Sequence, residues 1–128
     1  MNNSREQNLN ELTEKAIGCA IEVHKQLGPG LLESIYENAL CIELDLCKIK
    51  YERQKALNAI YKNKNVGDFR VDLVIEEKVV IELKSVERHD SIFEAQILSY
   101  MKLGGYKLGL LINFNPKLVT EGVKRFRI

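Results

Sequence analysis

The sequence predicts a mixed α/β fold, α+β-like in that helices pack on one mixed sheet without a regular βα repeat. Three observations carry this expectation. Apolar residues recur every three to four positions up to about residue 47, the spacing of amphipathic helices. From Lys48 the period falls to two, the spacing of strands with one buried face. A further helical stretch then separates two strand-like runs, so helices and strands segregate unevenly. The order expected is ααββββαββ or, with the early strands merged, ααβββαββ.

The first helix is expected over 8–27, with Leu9, Leu12, Ala16, Ala20, Val23 and Leu27 on its apolar side. Gly28-Pro29-Gly30 ends it, because proline and glycine do not readily continue a helix. A second helix is expected over about 31–47, burying Leu32, Ile35, Tyr36, Ala39 and Leu40. The stretches IKYERQ and ALNAIYK then read as extended chain, and Asn63 to Gly67 as a turn. DFRVDLVI and VVIELKSV supply the next two strands, about 68–75 and 79–86. Ser91 with Glu94 forms an S-x-x-E capping box, predicting a third helix from Ser91 to Leu103 that stops at Gly104-Gly105. KLGLLINF is apolar enough for a strand covered on both faces, and VKRFRI is a short last strand.

With 128 residues, the chain suits one domain, 1–128, with one core. No apolar run approaches the ~20 residues of a membrane span. The polar, mixed-charge start MNNSREQNLNELTEK is not a secretory signal, so a cytoplasmic location is expected. Cys19, Cys41 and Cys47 are odd in number and lack a C-x-x-C pair, which suits reduced thiols in or near the core and not structural zinc. With 19 basic and 18 acidic residues, the net charge of +1 excludes a protein that wraps nucleic acid by overall charge. A polyanion would need a local patch or metal ions. The compact basic stretches KIKYERQK and VKRFRI also read as solvated strand edges, where lysine and arginine discourage edge pairing.

The segment DFRVDLVIEEKVVIELK places charges inside its most strand-like runs. A three-residue loop, Glu76 to Lys78, pairs Ile75 with Val79 and Asp72 with Glu82. Lys84 lies two residues further on the same face, while Val71, Leu73, Ile81 and Leu83 take the opposite face. Like charges opposite one another destabilise a sheet and raise one pKa unless a cation lies between them. The alternative is a solvated face of mutually paired charges.

Asp72…Glu82-Leu83-Lys84 resembles the D…(D/E)xK core of the PD-(D/E)XK nuclease superfamily. The chain is further similar to its GxxExxY family, whose motif is Gly30-Leu31-Leu32-Glu33-Ser34-Ile35-Tyr36 here. LGPGLLESIYENAL, the Gln54 region, DFRVDLVI, VVIELKSVE, EAQILSY and GLLINF match in order over about 12–128; Val71 replaces the proline before the aspartate. The resemblance implies a restriction-endonuclease-like core, a central mixed sheet flanked by helices. It implies that Asp72, Glu82 and the main-chain carbonyl of Leu83 ligate Mg²⁺, with Mn²⁺ as a substitute. Lys84 would orient the attacking water and offset charge on the phosphorane.

By the same resemblance, Glu33 is an outer or second-metal ligand facing the site across a cleft; otherwise it is an exposed glutamate at a helix N-terminus. Gln96 and Tyr100, four apart on one helix face, resemble a QxxxY feature that holds substrate or orders the metal site. They also read as a buried tyrosine with a glutamine neighbour. Tyr36 and His24 read as structural, and His89 as a surface loop residue. Two functions follow as expectations. One is a Mg²⁺-dependent nuclease acting on nucleic acid, DNA in preference to RNA, as a homodimer. The other is a silent nucleic-acid-binding or assembly module that keeps the fold.

Overall fold

The computed structural model describes residues 3–128. Helices α1 (Asn3–Leu27) and α2 (Glu33–Leu46) precede strands β1 (Tyr51–Tyr61), β2 (Lys64–Ile75) and β3 (Val79–Lys84). Helix α3 (Ser91–Gly104), β4 (Leu108–Asn113), a 3₁₀ turn (Val119–Gly122) and β5 (Val123–Arg127) follow. The order is ααβββαββ, with the first extended stretch undivided. The five strands lie in the order β1-β2-β3-β4-β5. Among the described strands, β3 and β4 pair in parallel across the α3 crossover and the other neighbours pair antiparallel, so the sheet is mixed. The basic stretches KIKYERQK and VKRFRI fall largely on the two edge strands.

Two apolar clusters cover the two faces of the sheet. One joins α1 and α2 to Leu73, Ile75, Val79, Ile81, Leu83, Leu108, Leu110 and Ile112. The other joins Ile97 and Met101 of α3 to Val71, Val74, Val80 and Leu111. β4 contributes to both, as its apolar run predicts. Gly109 lets α3 lie close, since a Cβ there would come 2.7 Å from Met101 Sδ.

Several helix expectations are corrected. α1 begins five residues earlier than the apolar spacing suggests, and Leu27 at its end is exposed. α2 buries Tyr36, Glu37, Leu40, Cys41 and Leu44, whereas Leu32 and Ile35 are exposed. Leu32 precedes the helix as its N-cap residue, so it cannot join the buried stripe. The cap of α3 is Asp90, whose carboxylate accepts the Ile92 N–H; Ser91 is already the first helical residue. Glu94 bonds instead to His89 and Lys124.

The polar side chains around the α1–α2 break are structural. Tyr36 is fully buried, stacks on Phe114 at 4.3 Å, donates its hydroxyl to Gly28 O and accepts the Leu31 N–H. His24 Nε2 lies 3.1 Å from Phe114 O and 2.9 Å from Pro116 O, fastening α1 to the loop after β4. All three thiols are free. Cys19 and Cys41 are buried as expected, but Cys47 is exposed at the end of α2. Burial, followed by its contact with Cys47, pushes Cys19 up to about 12.

Candidate active site

The β2–β3 register is the one the loop length predicts: Ile75 pairs with Val79, Val74 with Val80 and Leu73 with Ile81. The ladder then ends. β2 continues beside β1 and β3 beside β4, so the two strands part at Asp72 and Glu82. Their carboxylates take the place of the missing ladder carbonyls. Glu82 Oε2 accepts the Asp72 N–H at 3.0 Å, and Asp72 Oδ2 accepts the Leu83 N–H at 2.8 Å. Each carboxylate thus binds a main-chain donor of the other's strand, and the fork keeps both side chains together.

The strand alternation inverts at the same place. Val71 shares its sequence parity with Leu73, yet Val71 packs with the α3 cluster and Leu73 with the α1–α2 cluster. Val71 is therefore not on the face expected from simple alternation. Opposite, in β1, Gln54 adopts φ 47° and drops out of the ladder between the Arg53–Leu73 and Lys55–Val71 pairs. Non-glycine residues rarely adopt this left-handed backbone. The distortion of β1 and the parting of β3 leave Asp72 without a ladder partner on either side.

Glu82 is buried and half-buried Asp72 lies against it. Burial, then the charge of Asp72, pushes Glu82 up to about 8. Burial disfavours the carboxylate and the like charge disfavours it further. The pair is therefore completed either by a proton or by a cation. Lys84 stays on the same side of β3, with its ammonium 4.5 Å from the Phe93 ring centroid. A cavity of about 170 Å³ opens beside it, lined in part by His89, Phe93, Asn113 and Lys124. Tyr100 stacks on Phe69 at 4.7 Å. Its pKa is raised by burial and by the nearby charge of Glu82, while its hydrogen bond with Gln96 acts the other way. Gln96 and Tyr100 are thus neighbours, and Tyr100 lies within the field of the carboxylate pair.

Among the described residues, no three His, Cys, Asp or Glu side chains converge tightly enough to form a metal cluster by themselves. Glu33, exposed in the first turn of α2, is accordingly not gathered with Asp72 and Glu82. The helix carboxylate linked to the pair is Glu37, one turn later. Gln54 Nε2 donates to Glu37 Oε1 at 2.7 Å and to Asp72 Oδ1 at 3.2 Å. Arg53 holds the other Glu37 oxygen with Nη2 at 2.8 Å and Nε at 3.2 Å. Sequence reasoning missed Glu37. Its signal was position: Tyr36, Leu40 and Leu44 define a buried stripe that also takes in position 37, where an acid needs a partner.

A family model of the PD-(D/E)XK nuclease superfamily matches residues 10–126. The chain belongs to this superfamily. No curated protein matches it. Nucleases of the PD-(D/E)XK superfamily generally use divalent metal ions, and membership implies a nucleic-acid substrate. The five-stranded mixed sheet with three helices is consistent with their restriction-endonuclease-like core. Among the described residues, no helix is long and apolar enough to cross a membrane. The donors at the fork suit the ions that PD-(D/E)XK nucleases use. They include two carboxylates, whose oxygens hard cations prefer, and a cation would offset the burial and the repulsion that raise the Glu82 pKa.

Proposed function

We propose that this chain is a nuclease of the GxxExxY branch, one nuclease-like unit over 1–128 that hydrolyses phosphodiester bonds of DNA with Mg²⁺. The observation that carries the reading is the fork at Asp72 and Glu82, which holds two carboxylates together although burial, and then their mutual repulsion, raises the Glu82 pKa. A structural role alone gives no reason to keep that cost. Asp72, Glu82 and the Leu83 carbonyl would hold the ion, with Glu33 reaching it as an outer ligand once substrate is present. The ion supplies Lewis acidity and a positive charge that offsets the two carboxylates. Lys84 orients the attacking water and stabilises negative charge developing on the phosphate. Gln96 and Tyr100 of α3 would contact substrate or order the site, a role that the influence of the Glu82 charge on Tyr100 supports. Three free thiols agree with action in the cytoplasm.

Calorimetric titration with Mg²⁺ and Mn²⁺ tests this reading. Wild type is expected to bind, and Asp72→Ala is expected to lose the signal. Cleavage of single- and double-stranded DNA and RNA, with chelator as the blank, then reads the activity. Cation binding with no cleavage of any substrate would favour the silent binding module. No cation binding at all would remove the metal-site reading.

A homodimer fits a small domain that must contact a long substrate. Leu32, Ile42 and Leu46 are exposed by 71%, 60% and 72%, giving the α2 region apolar surface that a second copy would cover. Light scattering is expected to give twice the chain mass at micromolar concentration; a monomer there would contradict it.

A further inference from the structure

We propose that Gln54 and Glu37 form a positioning device that fixes Asp72 for cation binding, an inference resting on the metal-site reading above. Gln54 Nε2 carries two protons and has two carboxylate acceptors, Glu37 Oε1 at 2.7 Å and Asp72 Oδ1 at 3.2 Å. The amide orientation follows from charge. Turned over, Gln54 would present its carbonyl oxygen to two carboxylates. Glu37 is itself anchored: it is buried on α2, and its second oxygen receives two donors from Arg53. The main chain contributes as well. The left-handed φ of 47° at Gln54 occurs opposite Asp72, where the β1–β2 ladder is interrupted. A residue held in a sparsely populated conformation requires compensation from its surroundings. Here the compensation includes the bridge from α2 to Asp72.

With this bridge, each oxygen of Asp72 receives one N–H: Oδ1 from Gln54 and Oδ2 from Leu83. The plane of the carboxylate is thereby set before any ion arrives. A carboxylate oxygen accepts more than one bond, so both keep capacity for a cation. Gln54 and Glu37 touch neither cation nor substrate in this scheme. They act through Asp72. The device also couples α2 to the sheet at the point where the strands part.

The test is calorimetric Mn²⁺ affinity, with thermal melting to confirm that each variant is folded. Gln54→Leu is expected to weaken binding about 10–100-fold, the usual effect of removing a hydrogen-bond partner from a metal ligand. Glu37→Leu should weaken it similarly, and Glu37→Gln, which keeps one acceptor oxygen but turns its NH2 on either Gln54 or Arg53, should fall between wild type and Glu37→Leu. Because the two residues form one chain, the Glu37→Leu/Gln54→Leu double variant should bind no more weakly than the worse single variant. Independent structural damage would instead add. If Glu37→Leu fails to fold, Gln54→Leu and Glu37→Gln still decide the matter. A folded Gln54→Leu protein that binds Mn²⁺ within about twofold of wild type overturns the proposal while leaving the metal site intact. Absence of Mn²⁺ binding by wild type overturns both.

Discussion

Lys84→Ala is expected to lower turnover by roughly 10²–10⁴-fold while leaving divalent-ion affinity within several-fold of wild type. The separation of the two effects follows from where the ammonium lies. It packs over Phe93 at 4.5 Å, beside the carboxylates, and its charge only partly offsets the burial and repulsion that raise the Glu82 pKa. Removing it leaves the Asp72–Leu83 and Glu82–Asp72 bonds in place, so the oxygen donors stay where they are. What disappears is a cation positioned to favour developing negative charge in a partly enclosed cavity. Asp72→Ala and Glu82→Ala should behave differently, losing ion and activity together. The checks are single-turnover cleavage beside calorimetry on the same preparations. Cleavage surviving in all three variants would indicate a contaminating nuclease, and loss of ion binding in Lys84→Ala would contradict the separation of roles.

The ion-free protein is expected to lose stability as the pH rises from about 4.5 to about 8, by at most about 5 kcal/mol from Glu82 alone. The sign follows from proton counting. The folded state holds a proton on Glu82 up to about 8, whereas the unfolded chain releases it near 4.5. Between those values the folded state binds more protons, so stability falls as pH increases. The contribution is fully present below about 4.5, is lost through the window and flattens above 8. Denaturant unfolding in chelator at pH 5 and pH 8.5 measures it. Glu82→Gln, which cannot ionise, should remove this part of the slope and be the more stable protein at the higher pH. Saturating Mg²⁺ should reverse the wild-type trend, because it binds the ionised pair of the folded state. Identical pH slopes for wild type and Glu82→Gln would show that Glu82 titrates normally.

The sequence by itself determined the element order, the β2–β3 register and the resemblance of Asp72…Glu82-Leu83-Lys84 to a known core. These properties are local. Helical spacing, the three-residue loop and period-two alternation each act over a few neighbours, so they leave direct marks in the chain. The same marks placed β4 between two covered faces and the basic stretches at the sheet edges. The tertiary structure alone decided which atoms meet at the site. Simple alternation put Val71 with Leu73 and could not foresee the inversion at Asp72, which depends on Gln54 leaving the ladder in a different strand. Helix spacing marks Glu37 as an acid on the buried stripe but cannot name its partners, because Arg53 and Gln54 lie on β1 and reach it only when α2 packs on the sheet. Even the α3 cap depended on competition. Glu94 was free to reach back toward Ser91, but the folded chain supplies His89 and Lys124, and Asp90 caps the helix in its place. A side chain with several possible partners takes those that the packed chain brings within reach, and three to four residues of local pattern do not contain that information.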